Sequence, residues 1–494
     1  MRLLDVLADV AVLEMAGSDR DIEGLRYDSR QVRAGDVFFA LGGLRQDGRA
    51  YARAAVDAGA VAVVAEEIVP LEGVARARVA DGRLALAQAA CRYHGYPSRA
   101  LQVVAVTGTN GKTTTAALVA QALEADGRGT GVLGTVGYRL GDRLMLAPFT
   151  TPESVELQGL LAEMRASGLS AAVLEVSSHA LDQRRAFGLE HDVAVFTNLS
   201  HDHLDYHGSL EAYLDAKLRL FDGRNAPASP KPWAAVINAD DPAAARVAEA
   251  ARRGRGRVVT FGSAAAAEIR AEGVTPRPDA IDLTIAHEGE HLALRLPLLG
   301  DVNVMNALAA FGAARALGVP RTTVLAALAA AQPVPGRLER VRAGQPFEVV
   351  VDYAHTPDAL ERVLTTLRSH VRPGGRLWVV FGCGGDRDRA KRPRMGEAAS
   401  RLADRVIVTS DNPRSEDPEA IIREIVAGIP KGRADVAVEP DRRAAIARAL
   451  RGADAGDVVL VAGKGHETTQ TIGARVLPFD DRAVVRELLQ GAMR

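Results

Sequence analysis

The sequence predicts an α/β protein of three domains built on parallel sheets. Three observations carry that expectation. The chain has 494 residues, and at roughly 150 residues per domain that length fills about three. Short Val/Ile/Leu/Ala runs alternate along it with Gly-rich or polar turns and amphipathic stretches, as parallel strands joined by crossover helices require. Proline breaks fall at Pro97 and at the PVPG run Pro333 to Gly336, where no helix can continue. The domains are therefore expected at residues 1–98, 99–334 and 335–494.

Composition narrows the function classes. Hydrophobic residues make up 47% and charged residues 25%, which excludes a disordered chain. Lys+Arg number 61 against Asp+Glu 62, a formal charge of -1, so no global basic field exists to hold nucleic acid or an anionic membrane. Cys91 and Cys383 are too few for a disulfide framework or a zinc–cysteine cluster and suit a reducing compartment. Asp5 and Asp9 interrupt the first apolar run, which is no signal peptide, and no apolar stretch reaches bilayer length. A cytoplasmic protein is expected. Only six of its basic residues are lysine: Lys112, Lys217, Lys231, Lys391, Lys431 and Lys464. In a chain that uses Arg by default, a Lys has a modestly raised chance of sitting where a primary amine is needed.

The elements follow in order. Runs at 37–41 and 61–65 flank a helical segment in the first hundred residues, and a strand at 101–106 opens the next unit. VTGTNGKTTT, Val106 to Thr115, then stands between that strand and an apolar-periodic helix ending at Gly127. Backbone amides of such a turn at a helix N-terminus cradle phosphate; Lys112 adds positive charge, and the Thr113 hydroxyl can ligate Mg²⁺. It is a shortened P-loop, since the strict form has four residues between its glycines. Glu175 ends a buried strand at 171–176, and a carboxylate beside a P-loop is a candidate Mg²⁺ ligand.

Next, NLSHDHLDYHG (Asn198 to Gly208) gathers His201, His203 and His207 with Asp202 and Asp205. A two-metal hydrolase uses His-x-His-x-Asp-His, but Tyr206 occupies the last histidine's place, and such an enzyme has no use for a P-loop. On its amphipathic stretch, Lys217 taken alone reads as a lysine on a solvated face. The Ala-rich tracts near 264–267 and 326–331 read as compositional bias.

In the last third, buried runs at 347–352, 376–381, 405–409 and 457–462 each lead into a polar loop: DYAHTP, GCGGDRDRAKRP, SDNPRSEDP and AGKGHE. Thr356-Pro357 opens a helix there. Four polar loops at one sheet edge describe a binding site, and Arg387, Arg389, Lys391 and Arg414 make its ligand anionic.

GTNGKTT, TTPE, EVSSHALDQRR, HDHLDYHG, DVNVMNALAA, PGRLE, DYAHTP, GGDRDRAKRP, DNPR and GKGHE occur in the order seen in the Mur ligases, which this chain resembles from about residue 27 to residue 467. The resemblance implies an N-terminal uridine-nucleotide domain, a central ATPase domain and a Rossmann-like C-terminal domain. It implies an ATP-dependent amide ligase acting as a cytoplasmic monomer on small molecules in peptidoglycan precursor synthesis. Specifically, meso-diaminopimelate would be added to UDP-N-acetylmuramoyl-L-alanyl-D-glutamate through an acyl phosphate, with Mg²⁺.

Carried over by motif, Gly108, Thr109, Asn110, Gly111, Lys112, Thr113, Thr114, Asn303, Asn306, Arg337 and Asp352 would meet ATP. Thr113 and Glu175 match the first Mg²⁺ site; Lys217, as a carbamate, and His203 match the second. Lys112, Lys217, His203 and His355 are the catalytic candidates. Ser29, Thr150, Thr151, Ser177, Gln183 and Arg185 match contacts to the sugar nucleotide and its dipeptide. Asp411, Asn412, Pro413 and Arg414, with Arg387, Gly463 and Glu467, match contacts to the amino acid. Arg414 would grip the extra carboxylate that separates diaminopimelate from lysine. Two residues depart from the family pattern: Phe149 where relatives commonly have Asn, and Tyr27 where some have Leu.

Overall fold

A computed structural model describes residues 1–43, 47–67, 70–226 and 231–492. Three separate sheets organise the chain, with a small hairpin near the C-terminus. The first has five strands in the order Val12–Ala16, Ala75–Val79, Ala62–Ala65, Asp36–Ala40, Gly24–Arg26. Only its first pair is antiparallel. Helix Gly82–Tyr93 covers one face through Leu86, Ala89 and Ala90, and helix Ala52–Asp57 part of the other. The sequence had shown only the two central strands. Val12–Ala16, for example, is interrupted by Glu14 and has no fully buried residue, so no continuous apolar run marks it.

The second sheet has eleven strands. Its parallel core places Gln102–Thr107 between Ala171–Glu175 and Val193–Phe196. Antiparallel hairpins extend both ends: residues 137–145 on one side and Ile281–His287 with Glu290–Leu296 on the other. Strand Gln102–Thr107 is buried from Val103 onward, which explains its unbroken apolar run. One face packs on helices Lys112–Ala125, Val302–Ala316 and Arg321–Ala329, and the other on Ser154–Ala166, Leu210–Leu218 and Ala244–Arg253. The Ala-rich 326–329 stretch thus closes a helix, with Ala327 and Leu328 buried, where small residues let the helix approach the sheet.

The third sheet has six strands in the order Glu339–Arg340, Glu348–Asp352, Val458–Ala462, Leu377–Phe381, Arg405–Val408, Asp435–Val438. All pairs but the first are parallel. The first long strand of this region lies beside the last, so the strand order reverses there and the C-terminal strand ends open a crevice. Helix Pro357–Arg368 begins where its sequence predicts, the Thr356 side chain accepting from the Ala359 amide, a cap that contributes about 1 kcal/mol. Strands Glu339–Arg340 and Asp435–Val438 are the two of this sheet that the sequence hides, the latter half exposed at the sheet's edge. Among the described residues no helix is long and apolar enough to cross a membrane.

Candidate active site

The phosphate turn lies between strand Gln102–Thr107 and helix Lys112–Ala125. Gly111 precedes the helix with φ 84, and a Cβ there would collide with Asn306 Oδ1. Only glycine meets both demands at that position. The Asn110 amide donates to Asn198 Oδ1 at 2.9 Å, and Thr109 Oγ1 lies 3.2 Å from Tyr213 OH. Lys112 curls back so that Nζ donates to the carbonyls of Gly108 and Thr109 at 3.0 and 2.9 Å. Desolvation pulls its ammonium below the ordinary lysine range, against the raising influence of Glu175.

Thr113 and Glu175 meet as the sequence expects, Thr113 Oγ1 donating to Glu175 Oε2 at 2.9 Å. Sequence reasoning missed Thr135, whose amide and hydroxyl both bond the same carboxylate, at 2.8 and 3.1 Å. Its signal was faint: GTVG ends a short run with no charge or motif to mark it. Asn303 and Asn306 are joined at 2.8 Å on helix Val302–Ala316, and Thr115 Oγ1 donates to Asn306 Oδ1 at 3.2 Å.

The C-terminal sheet closes on this turn. Arg337 donates to Thr113 Oγ1 at 3.3 Å and lies over the Tyr353 ring. Asp352 is nearly buried, its oxygens accepting from the Leu338 and Ala354 amides, both at 2.7 Å. Burial raises its carboxyl pKa, and Arg337 opposes that only partly. His355 donates through Nδ1, because its partner is the Tyr353 carbonyl at 2.9 Å, leaving Nε2 with a lone pair. Burial lowers its pKa to about 4, so it is neutral at pH 7. Residues 109–114, Glu175, Asp202, His203, Asn303, Asn306, Arg337, Asp352 and His355 line one cleft of about 270 Å³.

Lys217 corrects the solvated-face reading. It is 1% exposed, with Nζ 4.4 Å from the Tyr213 ring centroid and donating to the Gly108 carbonyl at 3.0 Å. Burial, with Lys112 nearby, drives its pKa well below the ordinary lysine value. A buried amine pressed toward the neutral form is nucleophilic. His203 sits in left-handed backbone at φ 54, with its ring 6.1 Å from that of Tyr213. The two candidates therefore flank one tyrosine without touching, and His203 faces the cleft while Lys217 lies beneath it. Among the described residues no three His, Cys, Asp or Glu side chains form a group able to hold a metal, so the hydrolase-type cluster is not assembled.

Five of the six sugar-nucleotide candidates form one patch. Thr151 Oγ1 donates to the Glu175 carbonyl at 2.8 Å and accepts from the Ser177 amide at 3.0 Å. Thr150 reaches Thr135, and Arg185 donates to Gln183 Oε1 at 2.6 Å. Phe149, one of the two departures, stacks on Arg185, whose guanidinium also pairs with Glu153 at 2.8 Å. Ser29 begins a short 3₁₀ turn beside the first sheet, with no hydrogen bond to the other five. Tyr27, the second departure, donates to Glu156 at 2.9 Å and so ties the first sheet's region to helix Ser154–Ala166.

The amino-acid candidates also converge. Asn412 donates to Glu467 Oε2 at 2.8 Å and accepts from Lys464 Nζ at 3.2 Å. Lys464 is fully buried and also donates to Glu467 at 3.0 Å, a positioning role that its presence in an Arg-rich chain could have signalled. Arg414 holds φ 53, its amide donating to the Thr471 carbonyl at 3.1 Å and its carbonyl accepting from the Gly473 amide at 2.7 Å. Its guanidinium donates to the Gly385 carbonyl at 2.7 Å. Arg387 stands on the same side, near Gly384. Pro413 and Gly463 complete the two loops, Gly463 passing so close that a Cβ would lie 2.6 Å from Asp411 Oδ2.

Comparison with known proteins gives the family. Residues 21–102 match the model of the Mur ligase family catalytic domain, 106–314 the Mur ligase middle domain and 336–465 the Mur ligase glutamate ligase domain. The UDP-N-acetylmuramoyl-L-alanyl-D-glutamate–2,6-diaminopimelate ligase of Solibacter usitatus (strain Ellin6076) is 44% identical over 497 residues, covering 99% of each chain. A solved structure of a ligase with that same name is 37% identical, with TM-score 0.68 over 96% of each chain. The MurF ligase from Thermotoga maritima in complex with ADP shares the fold, with TM-score 0.61 and 22% identity over 95% of this chain and 96% of that one. With a phosphate turn, a carboxylate–hydroxyl pair and a C-terminal rim in one cleft, and with family models covering most of its length, the chain belongs to the Mur ligase family.

Proposed function

We propose that this chain is an ATP-dependent amide ligase that adds meso-diaminopimelate to UDP-N-acetylmuramoyl-L-alanyl-D-glutamate in cytoplasmic peptidoglycan precursor synthesis. The observation that carries the reading is the single cleft with the phosphate turn on one wall and Arg337, Asp352 and His355 on the other. Residues 1–98 would take the uridine nucleotide, 99–334 ATP and 335–494 the amino acid, in a monomer.

A carboxylate is a poor electrophile, so a glutamate carboxylate oxygen first attacks the γ-phosphorus of ATP and ADP leaves. The diaminopimelate amine then attacks the acyl carbon, the tetrahedral intermediate collapses, and phosphate departs. Both steps bring anions together, so positioning and charge neutralisation do most of the work. Lys112 leaves its two carbonyls to meet the transferring phosphoryl group, and Arg337 adds a second cation from the opposite wall. The neutral His355 Nε2 can take the proton that the amine loses.

Thr113 and Glu175 present adjacent hard oxygens, the donor type Mg²⁺ prefers. His203 and Lys217, the latter as a carbamate, would hold a second ion. Bound there, Mg²⁺ supplies positive charge to phosphate oxygens. Carbamylation needs a neutral amine, which the burial of Lys217 favours.

Arg414 supports diaminopimelate over lysine, because lysine would leave that guanidinium without its carboxylate partner. The test is phosphate release from ATP with the UDP-sugar dipeptide plus diaminopimelate or L-lysine, together with product mass. Release with diaminopimelate alone and one new amide is expected. Release with lysine alone would overturn the substrate assignment, and release with neither would overturn the ligase activity proposed.

A further inference from the structure

Beneath the two loops that would receive the amino acid lies a fully buried charged pair. Arg442 and Asp481 side chains are both 0% exposed and joined by two bonds, Nε to Oδ1 at 2.8 Å and Nη2 to Oδ2 at 2.7 Å. They come from the first positions of two different helices, Arg442–Gly452 and Asp481–Ala492. The guanidinium also donates to two backbone carbonyls: Nη1 to Ser410 at 3.2 Å and Nη2 to Ala462 at 2.9 Å. Ser410 immediately precedes Asp411-Asn412-Pro413-Arg414, and Ala462 immediately precedes Gly463 and the loop bearing Glu467. One planar group therefore fixes the distance between two strand ends that are not neighbours in the sheet, since strand Leu377–Phe381 runs between them.

We propose that Arg442, aimed by Asp481, is a positioning residue that sets the spacing of the Arg414 and Glu467 loops and so tunes affinity for the amino acid. This rests on the amino-acid site proposed above. Desolvating a guanidinium and a carboxylate together is costly, and such a pair is commonly matched in stability by apolar residues of similar volume. Stability alone therefore gives little reason to keep it here. What an apolar pair cannot do is hold two carbonyls at a set separation. Lysine cannot either, because its single ammonium lacks the planar fork that spans carboxylate and both carbonyls.

The experiment compares wild-type enzyme with Arg442→Met/Asp481→Leu and with Arg442→Lys. It measures KM for diaminopimelate and for ATP, kcat, and the thermal midpoint. We expect the KM for diaminopimelate to rise about tenfold or more in both variants, with the KM for ATP within about twofold and the double variant's midpoint close to wild type. Should the double variant fail to fold, the same split in Arg442→Lys decides. A folded variant with unchanged KM for diaminopimelate overturns the inference. So does a parallel loss in every parameter with a lowered midpoint, which would make the pair purely structural. A wild-type enzyme that consumes no ATP with diaminopimelate would overturn the substrate reading and this inference together, an outcome distinct from an active wild type with an unchanged variant.

Discussion

The phosphate wall of the cleft and the proposed amino-acid site are built in opposite ways. The phosphate wall is one continuous strand–turn–helix, Gln102 to Ala125, whose key atoms lie within a few residues of one another. The proposed amino-acid site is assembled from loops at residues 382–393, 410–418 and 462–467, held together from outside by the hairpin at 469–478 and the buried Arg442–Asp481 pair. A local motif makes its own geometry. An assembled site borrows geometry from residues that never meet the ligand. Damage to the first should therefore abolish chemistry, whereas damage to the second should weaken one substrate at a time.

The largest effect should come from the phosphate wall. Lys112→Ala removes the one cation of the turn, and Glu175→Gln removes the carboxylate that Thr113 and Thr135 both bond. Each is expected to lower kcat by about a thousandfold or more while leaving the fold intact. Phosphate release beside a thermal scan checks this; a folded variant keeping a tenth of the activity would show the wall to be as modular as its opposite.

Lys217 tests whether the phosphate wall extends below its visible lining. Lys217→Ala is expected to cost about a hundredfold in kcat and to recover partly when a short carboxylic acid is supplied, since the acid would replace a carbamate's negative charge. An active wild-type enzyme with an unmodified ammonium at position 217, read by mass spectrometry or by ¹³C-bicarbonate labelling, would end that reading.

At the assembled site, Arg414→Ala should raise the KM for diaminopimelate by about 10- to 100-fold, the range of a lost charge-assisted contact, and change the KM for ATP little. Equal effects on both would mean that Arg414 works by joining the walls and not by selecting the amino acid.

That contrast also explains what was legible in the sequence. VTGTNGKTTT could be placed on its strand and helix because strand periodicity, glycines and lysine are contiguous. The convergence of four polar loops was legible too, because each followed an apolar run. Lys217 was not: its helix reads as amphipathic, and only the fold shows that Tyr213 and Gly108 bury the amine. Thr135 and Gln470 were silent because a hydroxyl or amide carries no positional signal until its partner is known; Gln470 donates to the Asp411 carbonyl at 2.7 Å. Edge strands such as Asp435–Val438 stayed hidden because half-exposed strands lack the continuous apolar run of buried ones. The departures Phe149 and Tyr27 turn out to serve contacts of this chain's own, with Arg185 and Glu156.

The smallest expected effect concerns pH and the body beneath the phosphate wall. His191 is 6% exposed, edge-on to Trp233 at 4.8 Å between centroids, and burial lowers its pKa to about 4. Unfolded, it titrates at about 6.5. Between those values the unfolded chain binds the proton and the native chain does not. Its contribution to stability is therefore complete above about pH 6.5 and declines as pH falls toward 4, with a slope of at most about 1.4 kcal/mol per pH unit. His355, also held at about 4, acts in the same direction on the opposite wall. Asp352 acts in the other: burial raises its pKa, so the native state holds that proton more readily and is favoured by acid. The C-terminal wall of the cleft thus contains opposing titrations, whereas at His191 desolvation outweighs the raising influence of Asp192. His191→Leu should consequently flatten the fall in thermal midpoint between pH 7 and pH 5, whatever its midpoint at pH 7. His355→Gln should flatten it as well. An identical fall in wild type and His191→Leu would place the acid sensitivity on the cleft walls instead of the core.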